Sequence, residues 1–310
     1  MSKNFLIYGF GRMGLTHYSI LNQLCRNSDF VFVDPDKKVN YFANRNLNAT
    51  VVNNLDHGVP FDFALICTPP IFHIPILERC IKSNISNIFV EKPFGGINDD
   101  YSSVVNTTSE VSVGYVLRFN PIIQWVKDFI ERDKIKTVSG FYFSNTIEKK
   151  PLGWRNGLYS GVTNEVGAHV IDLCIYLFSL GSPKIIDTKI KSIISDVDDI
   201  LIADLEEESI KYHFHFDWVN KDYRKPVFKF EVEMVDGSLV KFDQQKVEVF
   251  KDGVLKQKIT NVDIASNVPF YLRGVEFTSQ MLDFIGDRTT IASSNEALIG
   301  RSIINKLITK

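Results

Sequence analysis

From Phe5 to about Tyr115, short runs of consecutive apolar residues (FLIYG, FVFVD, FALIC, NIFVE and VSVGY) alternate with stretches whose apolar positions recur at helical spacing. The latter lie at Met13 to Cys25, Lys37 to Arg45 and Pro75 to Ser83. Uninterrupted apolar strands are those buried on both faces, and strands separated by helices build a parallel sheet with helices on either side. The expected fold class of this half is therefore α/β.

After Pro121 the rhythm changes. A helix is expected from about Ile122 to Glu131, a strand near Val138 to Asn145, and a second helix from Glu165 to Leu180. In KYHFHFDW, Tyr212, Phe214, Phe216 and Trp218 alternate with Lys211, His213, His215 and Asp217, the period-two pattern of an antiparallel strand with one apolar face. Asp236-Gly237 and Asp252-Gly253 stand between strand-like runs and predict hairpin turns. Ser293, with Glu296 three residues later, predicts a capping box at the start of a last helix reaching about Ile308. The expectation is two domains: residues 1–118, and an α+β domain over 119–310 with a large, mostly antiparallel sheet. The C-terminal helix is a candidate to pack back on the first domain.

Composition narrows the function. A chain of 310 residues, 45% hydrophobic, is long enough for two cores. Lys+Arg 35 against Asp+Glu 37 leaves no strong field toward nucleic acid or an anionic membrane, so a local site should choose the ligand. Cys25, Cys67, Cys80 and Cys174 show neither CxxC spacing nor a Cys/His ligand pattern, which suits a reducing compartment. His213 and His215 share a strand face and suggest a metal site, but no cysteine stands near them, and no metal is expected. An apparent strand starts at Phe5, and the apolar run ending at Leu180 is too short to span a bilayer. A cytoplasmic protein is expected.

Gly9-Phe10-Gly11-Arg12-Met13-Gly14 reads GxGxxG between the first strand and an amphipathic helix, the context that the dinucleotide fingerprint requires. The first two glycines permit a tight turn and close approach to a pyrophosphate, whose charge meets the N–H groups at the helix start; Gly14 permits close helix–strand packing. Asp34 follows at the end of FVFVD, where a carboxylate can accept from both ribose hydroxyls and repels a 2'-phosphate. The first domain is thus expected to be a Rossmann domain for NAD, with Lys37 and Lys38 leaving NADP open.

Cys67-Thr68-Pro69-Pro70 with His73, and Glu91-Lys92-Pro93, follow the next strands and fall at the carboxyl edge of the sheet. In order, GFGRMG, CTPPIFH, VEKPF, VGYVLRFNP, GWR and EVGAHVID resemble the Gfo/Idh/MocA oxidoreductases. The resemblance implies that Lys92 reaches a substrate hydroxyl beside the nicotinamide and that His169 is the general acid/base. Glu165 stands where the family usually has an aspartate and joins them as a catalytic candidate. It further implies cofactor contacts from Gly9, Gly11, Arg12, Met13, Gly14, Asp34, Thr68, Pro69, His73, Glu91 and Lys92. Substrate contacts are implied for Lys92, Tyr115, Arg118, Asn120, Trp154, Arg155, Glu165, His169 and Asp172, and the Lys92-Pro93 bond is a candidate cis bond.

These roles have plain physical warrants. A lysine beside a cationic nicotinamide is pushed toward a lower pKa, and its charge stabilises alkoxide character as hydride leaves. Histidine titrates near neutrality and can take up and return the hydroxyl proton. Arg118 and Asp172 could equally form a structural ion pair. The expected function is NAD(P)-dependent hydride transfer at a secondary hydroxyl of a sugar, nucleotide sugar or cyclitol, with a redox-neutral variant in which hydride is returned. The alternative is a nicotinamide-binding sensor or assembly subunit without turnover. A homo-oligomer, dimer or tetramer, is expected from the resemblance.

Overall fold

In the computed structural model, which describes residues 2–47, 49–54, 60–264 and 268–309, the chain divides into two units. One comprises residues 1–116 with 268–297, the other 117–267 with 298–310. The first begins β1(Asn4–Tyr8), α1(Arg12–Leu24), β2(Asp29–Val33), α2(Lys37–Asn46), β3(Thr50–Val52) and β4(Phe63–Ile66). It continues α3(His73–Lys82), β5(Asn87–Val90), α4(Ser102–Val105) and β6(Glu110–Val113). The strands lie in the order β6-β5-β4-β1-β2-β3, all parallel. Phe5, Leu6 and Ile7 are fully buried, as are Ala64, Leu65 and Ile66 next to them, which is why these runs carry no polar alternation. The strand order reverses at β1, so a crevice opens beyond the carboxyl ends of β1 and β4, where such sheets bind ligands.

The second unit holds α5(Pro121–Phe129), β7(Ile135–Phe143), α6(Ala168–Phe178), β8(Lys184–Lys191), β9(Ile200–Glu207) and β10(Ile210–Asp217). It continues with β11(Val227–Met234), β12(Leu239–Phe242), β13(Lys246–Lys251) and β14(Val254–Thr260). Its eight-stranded sheet runs β14-β13-β12-β11-β7-β10-β9-β8 and is mostly antiparallel. KYHFHFDW departs from the sequence expectation: β10 is antiparallel to β9 but parallel to β7, because the chain enters it after α6 and a hairpin rather than directly from β7. The apolar alternation holds, with Tyr212, Phe214, Phe216 and Trp218 buried. Glycine lets α6 and the turn before it approach this face: a Cβ on Gly140 would meet Val170 Cγ1 at 2.6 Å, and one on Gly167 would meet the Phe216 ring at 2.6 Å. Both Asp-Gly turns close hairpins, β11 with β12 and β13 with β14.

The chain then forms α7(Val275–Ile285), β15(Ala292–Ser293) and α8(Ser294–Ile308). Residues 268–297 fall with the first unit, whereas the sequence pattern assigned them to the second domain. β15 pairs antiparallel with β6 as a seventh strand, and the Phe284 ring of α7 packs edge-on against Phe63 and Phe89. Such pairings across long sequence separations leave no local signal. The expected capping box is formed: Ser293 N donates to Glu296 Oε2 at 2.9 Å, and Glu296 N donates to Ser293 Oγ at 3.3 Å. No helix among the described residues is long and apolar enough to cross a membrane.

Candidate active site

The glycine loop joins β1 to α1. Gly9 has φ +91°, and a Cβ there would lie 2.8 Å from the Cys67 carbonyl oxygen; one on Gly14 would lie 2.1 Å from the Gly9 oxygen. Gly11 differs, since a Cβ on it meets nothing within 4 Å. Two glycines are thus dictated by packing within the protein, and the third borders open space, as close approach of a ligand requires. Gly11 stands at the cap position of α1 and supplies no side chain to its first N–H groups, which suits them to a pyrophosphate. Arg12 is exposed and Met13 half-buried on this first turn.

Asp34 is half-buried, and its Oδ2 accepts from Phe10 N at 2.9 Å while Oδ1 accepts from Asp36 N at 2.9 Å. The carboxylate therefore braces the glycine loop, and each oxygen retains a lone pair for a hydroxyl. Lys37 and Lys38 are exposed on the first turn of α2, whose cap is Asp36. These features fit a dinucleotide, with the glycine loop holding the pyrophosphate and Asp34 the adenosine ribose.

The Glu91-Lys92-Pro93 segment leaves the carboxyl end of β5 beside this loop, and its Lys92-Pro93 bond is cis, as expected. Behind it stand two buried histidines. His73, 1% exposed, faces inward, with Nδ1 2.9 Å from the Pro93 oxygen and Nε2 2.8 Å from the Thr68 oxygen. Burial lowers its pKa against the pull of these carbonyls, and a neutral ring can donate to only one of them at a time. His73 thus pins the backbone of Thr68 and Pro93, two of the segments to which cofactor contacts are assigned. His17 on α1 is fully buried, with Nε2 2.6 Å from Glu91 Oε1, while Glu91 Oε2 accepts from Lys92 N at 3.2 Å. Glu91 thereby links the dinucleotide-binding helix to the Lys92 segment. Burial, with Glu91 nearby, pushes the Cys67 thiol up, which disfavours its thiolate. The sequence reading missed His17; the signal available was its position three residues after Gly14, on the buried face of α1.

In the second unit, Arg118 and Asp172 are 1% and 2% exposed and meet in a forked pair, Nε to Oδ2 at 3.0 Å and Nη2 to Oδ1 at 2.7 Å. The guanidinium also lies 4.8 Å from the Tyr176 ring centre. The ion-pair alternative is the one this geometry favours, since both charges are engaged with each other inside the core. Asn120 is buried and caps α5 through Oδ1, which accepts from Ile122 N at 3.0 Å. Tyr115, in the first unit, is buried as well. Trp154 is half-buried and Arg155 exposed, with the Arg155 guanidinium 5.2 Å from the Trp154 ring centre.

The predicted helix from Glu165 starts differently. Residues Thr163–Gly167 form a π-type turn, and α6 proper begins at Ala168. Glu165 and His169 are both half-buried. Glu165 Oε1 accepts from Ser160 Oγ at 2.5 Å. Burial, with a smaller effect from Glu165, pushes the Tyr142 phenol up to about 12. Wide turns of this kind often mark functional sites, because the added residue re-aims side chains relative to the helix that follows. The turn is held by Asp198, whose Oδ2 accepts from Thr163 N at 2.8 Å. Burial pushes this carboxyl up to about 6 against its hydrogen bonds from Thr163. Neither Ser160 nor Asp198 was singled out from the sequence.

Residues 3–117 match the family model of the Gfo/Idh/MocA kind, described as oxidoreductase family, NAD-binding Rossmann fold. The resemblance drawn from the motifs is thus borne out over the dinucleotide-binding part. No curated protein sequence matches the chain. Among solved structures it is similar to levoglucosan dehydrogenase in complex with NADH and levoglucosan, at 17% identity and TM-score 0.82, covering 99% of this chain and 96% of that one. It is also similar to an oxidoreductase domain protein from Kribbella flavida, at 16% identity and TM-score 0.79, covering 99% and 98%. A third is UDP-N-acetylglucosamine 3-dehydrogenase from Acidithiobacillus ferrooxidans, at 14% identity and TM-score 0.76, covering 99% and 97%. At these identities the likeness establishes the fold.

Proposed function

We propose that this chain, an NAD-binding oxidoreductase of the Gfo/Idh/MocA kind through residues 3–117, transfers hydride to or from a secondary hydroxyl of a sugar, nucleotide sugar or cyclitol. The observation that carries the reading is Lys92 at the carboxyl end of β5, in the same unit as a glycine loop whose Gly11 borders open space. Relatives in fold that are named as dehydrogenases of levoglucosan and of UDP-N-acetylglucosamine support the sugar class.

When bound, the dinucleotide supplies the hydride acceptor for oxidation and the hydride donor for reduction, and the remaining work belongs to side chains. The Lys92 ammonium donates a hydrogen bond to the reacting oxygen and stabilises the negative charge that develops there. His169 takes the hydroxyl proton during oxidation and returns it during reduction. Glu165, held by Ser160 Oγ, orients the substrate. Trp154 and Arg155 offer an aromatic and cationic surface suited to a sugar ring and its polar substituents. Asp34 selects NAD over NADP, since its carboxylate repels a 2'-phosphate. The protein assembles as a homo-oligomer, which sedimentation at micromolar concentration tests.

The experiment is a screen of sugars, nucleotide sugars and cyclitols for NAD reduction, repeated with Lys92→Ala and His169→Ala. Each substitution should lower kcat by roughly a hundredfold or more. Turnover within a few fold of wild type in both would show that the assigned roles are wrong. Nicotinamide binding with no turnover on any candidate would favour a sensor.

A further inference from the structure

Residues 195–199, between β8 and β9, tie down two stretches of the second unit to which substrate contacts are assigned, 154–155 and 165–169. Asp196 accepts from Lys150 Nζ at 2.7 Å and from Asn156 Nδ2 at 2.6 Å, and its own N donates to Asn156 Oδ1 at 2.8 Å, bracketing Trp154 and Arg155. Asp198 accepts twice from the wide turn: Oδ2 from Thr163 N at 2.8 Å, and its main-chain oxygen from Val162 N at 2.7 Å. Asp199 anchors the segment itself, accepting from Ser195 N at 3.0 Å, Ser195 Oγ at 2.6 Å and Trp218 Nε1 at 2.7 Å.

The wide turn lacks a local cap, as no side chain at its start bonds to its first N–H groups. Glu165 N bonds back to the Gly161 oxygen at 2.9 Å, whereas Thr163 N, in a fully buried residue, has its acceptor in the Asp198 carboxylate, itself 8% exposed. Gly161 makes the approach possible. Its φ is +108°, and a Cβ there would lie 1.8 Å from Asp198 Oδ1. A glycine, a buried carboxylate and an uncapped wide turn therefore form one unit, whose geometry fixes where residues 163–169 start.

Resting on the reading that Glu165 and His169 serve the reaction, we propose that Asp198 is a positioning residue that sets the 163–167 turn and, through it, the aim of those two side chains. It acts from behind the turn rather than on substrate. Loosening the turn spreads Glu165 and His169 over several orientations, which lowers the fraction of complexes in a reactive geometry without weakening dinucleotide binding.

The test uses the full chain with Asp198→Ala, Asp198→Asn and Gly161→Ala, and reads hydrogen exchange by mass spectrometry over peptides spanning 159–170. Loss of a hydrogen bond to a charged group corresponds to roughly tenfold or more in local opening, so exchange should speed by that factor in Asp198→Ala and Gly161→Ala. Peptides covering β10 and the glycine loop should keep wild-type rates, which separates local loosening from misfolding. Asp198→Asn retains a carbonyl acceptor for Thr163 N and should stay within about threefold of wild type. On a sugar that the wild type turns over, kcat should fall roughly tenfold in the first two variants, KM for NAD should hold, and Asp198→Asn should restore the rate. Unchanged exchange over 159–170 in Asp198→Ala overturns the proposal, as does faster exchange with unchanged kcat. Should Asp198→Ala fail to fold, Gly161→Ala and Asp198→Asn carry the same comparison. Exchange reads the turn whether or not any sugar is oxidised, so failure of the dehydrogenase reading is told apart from failure of this one.

Discussion

Replacing Asp198 with asparagine should change stability in a way that depends on pH with a defined sign. The folded protein raises this carboxyl from 3.8 to about 6, chiefly through burial. A raised folded pKa favours the protonated form in the native state, so the contribution of Asp198 to stability is fully present below pH 4 and is lost as pH rises toward 6. A shift of about two units corresponds to about 3 kcal/mol. Asparagine imitates the neutral acid and does not ionise. The stability difference, Asp198→Asn minus wild type, should therefore climb by about 3 kcal/mol between pH 4 and pH 7 and level off above. Asp199 does not blur the window: burial pushes it up, but its hydrogen bonds from Ser195, Ile194 and Trp218 outweigh this and hold it below the ordinary range. Trp125, Trp154 and Trp218 all lie in the second unit, so urea titrations followed by tryptophan fluorescence report on the unit that contains the substitution. A difference that stays flat across pH 4 to 7, or one that falls, would refute the assignment of a buried, ionised carboxylate at this position.

Arg118→Ala should destabilise the second unit by about 3–5 kcal/mol, since it strands the buried Asp172 carboxylate; the joint replacement Arg118→Met with Asp172→Leu should recover most of this, and denaturant melts compare the two. A double variant as unstable as the single would show that the pair is worth more than its mutual neutralisation. Gly14→Ala forces a Cβ to within 2.1 Å of the Gly9 oxygen, so the loop must shift, and NAD binding measured by calorimetry should weaken at least tenfold with a stability loss of about 1–3 kcal/mol. Asp34→Ala removes the brace on Phe10 N together with the proposed ribose acceptor, and should weaken NAD far more than NADP in parallel titrations. Exchanging His17 for glutamine should lower kcat more than it raises KM for NAD, because Glu91 then loses its anchor on α1; an unchanged kcat would show that Glu91 holds Lys92 unaided.

The dinucleotide half was legible because its determinants are local. The first apolar run, the glycines at fixed spacing and the acid just after β2 belong to one strand–turn–helix–strand unit, and all lie within Phe5 to Asp34. The same holds for the Asp-Gly hairpins and for the Ser293–Glu296 cap, where partners are three residues apart. Period-two burial placed Tyr212, Phe214, Phe216 and Trp218 on the inner face without any knowledge of their neighbours. It did not reveal that β10 runs parallel to β7, because strand direction depends on where the intervening chain travels.

What only the tertiary structure decided are the partners of charged and polar groups. Arg118 and Asp172 are 54 residues apart in sequence, His17 and Glu91 are 74 apart, and Asp198 reaches back 35 residues to Thr163. Each residue carries the same side chain whether it serves a substrate, a helix start or a buried counterion, and its role is fixed by which groups exclude water around it. By itself the sequence determined an alternating fold with a nucleotide-ready turn, since backbone sterics and hydrophobic period act over a few residues. Folding selected which polar groups became braces, because desolvation is a property of the packed core rather than of any segment in it.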